Sequence, residues 1–226
     1  MPVTPFLVVP VKPSSGSKQR LATTLPDSGR QLVSLALARR VVSLAARVWP
    51  RGAMVVVSSE SQLSPLCERL RVAQIADPGA GQTAAVRSGV CWALERGARV
   101  VATVAADLPA VEDGDLRVLL ARARSLDPGS MIIYPDREGS GTNGVVVAPG
   151  RLLPYAFGPG SRHRHECVAS RLGLKLTVEV RPGFCWDLDR PEDLDSTGVG
   201  NPHPLVSWAL ELSGEQPSRV GGDGGV

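Results

Sequence analysis

Three acidic residues that follow apolar segments are the side chains of this sequence most suited to holding a metal ion. Val100–Pro109 reads VVATVAADLP, an apolar run that ends at Asp107 and a proline. A run without polar alternation predicts a strand buried on both faces, and Pro109, which lacks an N–H, ends it at about Asp107. Because open α/β sheets bind ligands at the carboxyl ends of their strands, Asp107 is a candidate site residue. The alternative is that it only caps the next helix or turn.

A second acidic pair, Asp187 and Asp189, lies in the segment CWDLDRPEDLD. Pro191 suits the first turn of a helix, so Asp189 has an alternative role as the cap of that helix. Asp187 lies outside the helix, next to Trp186, and has no such alternative. Together with Asp107, the pair could supply three carboxylates from two strand ends to Mg²⁺ on a nucleoside triphosphate.

The loop after the first predicted strand, Phe6–Val11, carries positive charge. Lys12, Lys18 and Arg20 are separated in part by serines and a glycine. This combination offers both positive charge and exposed backbone N–H groups to a triphosphate. The loop lacks the GxxxxGK[ST] pattern of a Walker A motif. A solvated basic loop without a ligand is the alternative.

A glycine-rich segment, PGAGQTA at Pro78–Ala84, formally matches the pattern GxGxxA. A dinucleotide-binding fingerprint belongs at the first strand–helix turn, whereas this segment follows the third predicted strand. We therefore reject a Rossmann dehydrogenase. The glycines suit a close approach of backbone to a base or ribose, and a plain turn before a helix is the alternative.

Two further segments, GSGTN (Gly139–Asn143) and FGPGSRHRH (Phe157–His165), are candidates for binding a second substrate. Both place glycine beside hydroxyl groups and other donors, which suits carboxylate or phosphate oxygens, although either could be a polar surface loop. His163 and His165 are two positions apart with no third histidine nearby, so a histidine metal site is disfavoured.

The elements that must position these residues alternate between strand and helix. Through the first 125 residues this alternation predicts a doubly wound parallel sheet. Beyond it, two strands with a short connection predict a hairpin or a sharp excursion of the chain. The predicted strands are 6–11, 54–58, 72–75, 100–106, 131–134, 144–147 and 176–180, and the predicted helices are 27–49, 61–70, 82–96, 113–124 and 164–171.

The overall composition limits the classes of function that the protein can have. A net charge of +3 and an aromatic content of 4% argue against a nucleic-acid binder. The four cysteines are dispersed without a CxxC pair, which is typical of reduced thiols in a cytoplasmic protein. We find neither a signal peptide nor a membrane span. We predict a domain over residues 1–198 and a partly disordered tail over 199–226.

Five motifs occur in one order: K…KxRL at 12–21, ADLP at 106–109, GTN at 141–143, FGxxSxxRH at 157–165 and WDLDRPEDL at 186–194. Together they resemble the CofC/FbiD family of guanylyltransferases in biosynthesis of the deazaflavin coenzyme F-420. The resemblance implies a single-domain GT-A-like (Rossmann-like) α/β fold, with a mostly parallel sheet and helices on both faces. ADLP and DxDxPxDL alone would fit nucleotidyltransferases generally, including those for sugar phosphates or molybdopterin.

The resemblance also implies Mg²⁺-dependent transfer of GMP from GTP to a small phosphorylated carboxylate, with release of diphosphate. The acceptor is phosphoenolpyruvate in bacterial members, 2-phospho-L-lactate in archaeal ones and 3-phosphoglycerate in some others. The family further suggests a homodimer. A non-catalytic nucleotide-binding module of the same fold is the alternative, which a missing metal carboxylate would indicate.

The same resemblance assigns roles to individual residues. Asp107 and Lys18 are the expected catalytic residues. The expected ligands are grouped by partner: Asp107, Asp187 and Asp189 for Mg²⁺; Lys12, Lys18 and Arg20 for the triphosphate; Gly81, Gln82 and Thr83 for the guanosine of GTP; and Thr142, Gly158 and Ser161 for the acceptor.

Overall fold

A seven-stranded sheet forms the centre of the protein, whose computed structural model describes residues 3–15, 18–148, 152–189 and 193. Within those residues the strand order is β3-β2-β1-β4-β6-β5-β7. All strands run parallel except β6, which is antiparallel to both of its neighbours. The strands are β1 (Phe6–Pro10), β2 (Met54–Val57), β3 (Ala73–Ile75), β4 (Val101–Val104), β5 (Ser130–Pro135), β6 (Thr142–Ala148) and β7 (Lys175–Val178).

Helices cover both faces of this sheet. The apolar side chains of β1 pack into two hydrophobic cores, because Leu7 and Val9 point to one face of the sheet and Val8 points to the other. Helices α1, α2, α4 and the short α6 pack on the first face, and α3 and α5 pack on the second. Their bounds are α1 (Asp27–Val48), α2 (Ser64–Leu70), α3 (Gln82–Leu94), α4 (Asp113–Arg124), α5 (Ser161–Arg171) and α6 (Pro182–Cys185). The predicted mostly parallel sheet with helices on both faces is confirmed.

The reversed direction of β6 brings the segment before it to the carboxyl end of β4. Val104 pairs with Gly144, and the Ala105 N–H donates to the Asn143 carbonyl at 2.9 Å. Residues that begin β6 therefore lie at the same sheet edge as residues that follow β4. The predicted hairpin is confirmed, because β5 pairs antiparallel with β6.

Several boundaries differ from the sequence prediction. Helix α5 begins at Ser161 rather than at residue 164, since Gly160, with φ of +68°, supplies the left-handed turn that precedes it. The predicted helix 61–70 is a 3₁₀ turn followed by α2, which Pro65 allows to begin. Helix α6 and a 3₁₀ turn at Gln19–Leu21 are too short to leave a periodic signal. The helix expected at Pro191 and the tail at 199–226 lie outside the described residues.

Candidate functional site

A cleft of about 400 Å³ opens at the carboxyl ends of the central strands. It brings together residues from seven separate segments of the chain. Ten of the predicted site residues line it, whereas Gly81 and Thr83 do not. The ten are Lys12, Lys18, Arg20, Gln82, Asp107, Thr142, Gly158, Ser161, Asp187 and Asp189.

Lys18 and Asp107 form an ion pair at the floor of this cleft. The Lys18 ammonium donates to Asp107 Oδ2 at 2.6 Å, and the lysine side chain is only 6% exposed. Burial opposes the ionisation of Asp107, but the charge and hydrogen bond of Lys18, with a further contribution from Lys12, hold the pKa of Asp107 below its ordinary value. The Lys18 backbone has φ of +55°, a left-handed conformation that costs energy for a side-chain-bearing residue.

Asp187 lies beside Asp107 and, among the residues that the structure describes, forms no ion pair. Burial first, and then the neighbouring Asp107 charge, raise the pKa of Asp187 to about 6. The Leu188 N–H donates to the Asp107 carbonyl at 3.1 Å, which ties the two acidic segments together. Asn143, the last residue of GTN, donates its amide to the Phe184 carbonyl at 2.8 Å and lies 3.4 Å from Asp187 Oδ1. These contacts hold the carboxylate of Asp187 near that of Asp107.

Asp189 is held by a different partner. Arg20 donates to Asp189 Oδ2 at 2.8 Å, so the basic loop contacts a second acidic residue of the site. The Asp189 backbone N–H donates to Asp193 Oδ2 at 3.0 Å, and Arg137 pairs with the other oxygen of Asp193 at 3.2 Å. The Arg137 guanidinium in turn stacks over Trp186 at 4.2 Å. Asp193 and Arg137 thus position Asp189, a role that its sequence context did not reveal.

The three predicted metal carboxylates do not form a ready-made cage. Within the described residues, no group of three or more His, Cys, Asp or Glu side chains is arranged to hold a metal ion. The donor set nevertheless fits Mg²⁺, which usually takes one or two protein carboxylates and completes its shell with water and substrate phosphates. Asp107 and Asp187 meet that requirement, because a cation near them would offset the burial and the repulsion from Asp107 that together raise the pKa of Asp187.

The basic loop is anchored to the carboxyl end of β2 by a residue that sequence reasoning missed. Glu60 accepts hydrogen bonds from the Ser14 N–H at 3.1 Å and from the Ser14 hydroxyl at 2.6 Å. The Ser14 hydroxyl bond is the largest of the effects that lower the pKa of Glu60. Nothing in the sequence VVVSSE singles this glutamate out, since its partner lies 46 positions away.

The glycine-rich segment contributes less to the cleft than predicted. Gln82, the first residue of α3, lines it. Thr83 instead accepts a hydrogen bond from the Phe157 N–H at 3.0 Å, so it joins α3 to the segment that leads into α5. Gly81, with φ of +86°, forms the turn before α3. The backbone of this segment forms the turn that begins α3. A glycine-rich sequence pattern does not distinguish such a turn from a backbone that contacts a nucleotide base.

One part of the cleft lining combines hydroxyl groups with a helix N-terminus. Thr142 begins β6, Ser161 begins α5, and both are almost fully buried, with 6% and 2% of their surface exposed. Gly158 and Gly160 approach the cleft with backbone alone. The positive end of α5 and the two hydroxyl groups favour an anionic group at this end.

A mostly parallel α/β sheet with a basic loop after β1 and acidic residues at its carboxyl edge defines a nucleotidyltransferase-like fold. A solved structure of a nucleotide-diphospho-sugar transferase from Desulfovibrio desulfuricans G20 has this fold, with a TM-score of 0.64, 13% identity and coverage of 93% of this chain and 96% of that one. Residues 6–198 match the family described as "Guanylyl transferase CofC like". The chain belongs to this family of guanylyltransferases.

Curated relatives agree with the family. The chain is 39% identical to a phosphoenolpyruvate guanylyltransferase from Rubrobacter xylanophilus over 193 residues, which cover 84% of this chain and 91% of that protein. It is 38% identical to a phosphoenolpyruvate guanylyltransferase from Streptomyces scabiei over 221 residues, which cover 92% and 98%. No helix in the described part of the chain is long and apolar enough to cross a membrane.

Proposed function

We propose that this protein transfers GMP from GTP to phosphoenolpyruvate and releases diphosphate, a step in the biosynthesis of coenzyme F-420. The product is enolpyruvoyl-2-diphospho-5'-guanosine. The observation that carries the proposal is the convergence of three kinds of group in one cleft. A basic loop, the carboxylates of Asp107 and Asp187, and the hydroxyl-bearing residues Thr142 and Ser161 all line it.

The triphosphate binds at the basic end. Lys12, Lys18 and Arg20 line the cleft there, and Glu60 fixes the loop that carries them. Lys18 and Arg20 are already paired with Asp107 and Asp189. With the carboxylates of Asp107 and Asp189 free to face a cation, the two basic side chains would be available to the phosphate oxygens of the nucleotide.

Asp107 and Asp187 would hold Mg²⁺, and Asp189 is the third carboxylate that lines the cleft. Bound there, the ion neutralises the negative charge that develops on the phosphates during transfer. The protein's own contribution is the fixed position of the two carboxylates. It follows from the Leu188-to-Asp107 backbone bond and from the amide of Asn143.

The acceptor binds at the opposite end, where Thr142, Ser161 and the backbone of Gly158 bind its phosphate and carboxylate. A phosphate oxygen of the acceptor attacks the α-phosphorus of GTP in line, and the bond to diphosphate breaks. A phosphate dianion is already a competent nucleophile, so the reaction requires no general base. Lys18 and Arg20 stabilise the charge on the departing diphosphate.

The guanosine lies beside Gln82, the residue of the glycine-rich segment that lines the cleft. Gly81 and Thr83 support it indirectly through the turn before α3 and the bond to Phe157. The cytoplasmic location, predicted from the cysteines, and the homodimer, suggested by the family resemblance, stay predictions.

The test is diphosphate release from GTP and Mg²⁺, with phosphoenolpyruvate, 2-phospho-L-lactate and 3-phosphoglycerate offered separately. The enzyme for the next step is included so that an unstable product is consumed. We expect release with phosphoenolpyruvate, and its loss in Asp107→Asn. Asp113→Asn is the matched control, because Asp113 is an exposed residue of α4 that pairs with Arg47. Release with another acceptor alone would reassign the substrate, and no release with any of the three would contradict the proposal.

A further inference from the structure

His165 is completely buried behind the acceptor end of the cleft, where it bridges β6 and the segment before α5. Its ring packs edge-on against Phe157, with centroids 4.9 Å apart, and against Tyr155 at 6.4 Å. Its two nitrogens face different partners. Nδ1 lies 3.2 Å from Thr142 Oγ1, and Nε2 lies 3.1 Å from the backbone nitrogen of Ala156.

The Ala156 contact determines which nitrogen of the ring carries the proton. A backbone N–H can only donate, so Nε2 must present its lone pair to it. A neutral imidazole has one N–H, which is then on Nδ1. Protonation of Nε2 as well would place two hydrogens against each other between His165 and Ala156. Burial, followed by the nearby charge of Arg164, also lowers the pKa of His165 to about 4, in agreement with a neutral ring.

The orientation of the Thr142 hydroxyl follows from this tautomer. With hydrogen on Nδ1, the ring donates to Thr142 Oγ1, and the hydroxyl uses a lone pair to accept. The hydroxyl hydrogen must then point away from His165. In the described part of the chain, Thr142 makes no further side-chain hydrogen bond, and it lines the cleft. The hydrogen is therefore available to a ligand there.

We propose that His165 is a positioning residue that, as its neutral Nδ1–H tautomer, turns the Thr142 hydroxyl into a hydrogen-bond donor for an anionic oxygen of the acceptor. The proposal rests on the proposed function for the identity of the acceptor. The arrangement adds no net charge. It favours a carboxylate or phosphate oxygen over a sugar hydroxyl, because a hydrogen bond to a charged acceptor is stronger than one to a neutral oxygen.

The tautomer is measured directly by nitrogen NMR of the protein labelled with ¹⁵N-histidine, without substrate. The chain has three histidines, and exposed His163 is an internal comparison. We expect His165 to carry its proton on Nδ1 at neutral pH. A proton on Nε2, alone or together with one on Nδ1, would overturn the proposal whether or not the enzyme transfers GMP to phosphoenolpyruvate.

Two isosteric substitutions separate the two contacts of His165. In His165→Asn, the amide group lies near the position of Nδ1 and can still donate to Thr142. In His165→Gln, the amide oxygen reaches toward the position of Nε2 and can still accept from Ala156. We expect His165→Gln to raise the KM for phosphoenolpyruvate about tenfold, because the loss of one hydrogen bond to a charged group has about this effect. The KM for GTP should stay unchanged, and His165→Asn should remain within about threefold of the wild type.

His165→Asn and His165→Gln are then combined with Thr142→Val, a variant that has no hydroxyl group at position 142, and the KM values are measured again. Because His165 acts through Thr142, His165→Gln should add no further increase in KM in that background. The proposal would be overturned if His165→Asn and His165→Gln raised the KM for phosphoenolpyruvate equally. It would also be overturned if the effects of His165→Gln and Thr142→Val on this KM were additive. Thermal unfolding of each variant verifies folding, and where a variant does not fold the tautomer measurement decides. Wild-type protein that transfers GMP to none of the acceptors would contradict the proposed function instead.

Discussion

The Nζ atom of Lys18 lies 2.6 Å from Oδ2 of Asp107, although the two residues are 89 positions apart in the chain. The ion pair joins the basic loop after β1 to the carboxyl end of β4, and Arg20 forms a parallel pair with Asp189. Each of these two basic side chains is therefore paired with one of the acidic residues of the site. The loop that is proposed to bind triphosphate is held at the site by the same carboxylates that are proposed to face the metal.

Replacing Lys18 with methionine tests that arrangement. We expect Lys18→Met to lower the rate of diphosphate release by at least about 100-fold, because the leaving diphosphate loses a cation that is preorganised at the site. Lys175→Met is the control, since Lys175 is an exposed residue of the edge strand β7. Steady-state kinetics with GTP and phosphoenolpyruvate provide the measurement, and a turnover within about twofold of the wild type would rule out this role for Lys18.

Replacing Asp187 with asparagine should separate activity from stability. Asp187 is buried near a second carboxylate, so its charge opposes folding in the absence of metal. We expect Asp187→Asn to be at least as stable as the wild type in EDTA, yet to lose diphosphate release by about 100-fold or more. Thermal unfolding in EDTA and activity across a magnesium titration measure the two effects. A variant that is both less stable and fully active would contradict the assignment.

Glu60 should affect the nucleotide end of the cleft alone. In Glu60→Gln the weaker amide acceptor loosens Ser14, and the basic loop becomes less ordered. We expect the KM for GTP to rise several-fold, while the KM for phosphoenolpyruvate stays unchanged. Glu68→Gln, at an exposed position of α2, is the matched control. Equal increases in both KM values would indicate a general loss of structure instead.

Burial of neutral His165 makes folding sensitive to acid. Its pKa falls from the ordinary 6.5 to about 4 in the folded protein, so the unfolded chain binds more protons between these values. The stability that this group contributes is therefore complete above about pH 6.5 and is lost as the pH falls towards 4. We expect its loss between about pH 7 and pH 5 to be about 2 kcal/mol.

Urea unfolding of the wild type and of His165→Gln at both pH values isolates this contribution from that of the carboxylates. The variant should have a smaller decrease in free energy of unfolding than the wild type. His163→Gln, which changes an exposed histidine, should match the wild type. An identical pH dependence in wild type and His165→Gln would show that His165 is not buried in its neutral form.

The sequence predicted those parts of the site that depend on strand order and on short-range chemistry. The apolar run before Asp107 identified a central strand, and the charges after β1 identified the loop that meets it, since both are local patterns. Ten of the predicted residues consequently line one cleft. The assignment of Gly81 and Thr83 to the guanosine stays a prediction, because a glycine-rich turn looks the same in sequence whether it contacts a ligand or begins a helix.

Contacts between distant segments could not be predicted. Ser14 meets Glu60, Asn143 meets Asp187, and Thr142 meets His165 only because strand order and the reversed direction of β6 bring those segments together. Pairing partners far apart in the chain leave no local pattern in a single sequence. The same limitation explains why Asp193 and Arg137 became visible as supports of Asp189 only in the structure.

Transfer of the α-phosphate is the central claim, and its most direct test follows that phosphate. GTP labelled at the α-phosphate is incubated with the protein, Mg²⁺ and phosphoenolpyruvate, and the labelled species are separated. We expect the label in a new phosphoenolpyruvate-dependent compound in which a diphosphate links guanosine to the enolpyruvyl group, with none formed by Asp107→Asn. Label that stays in GTP, or that appears as free GMP independently of phosphoenolpyruvate, would contradict the account.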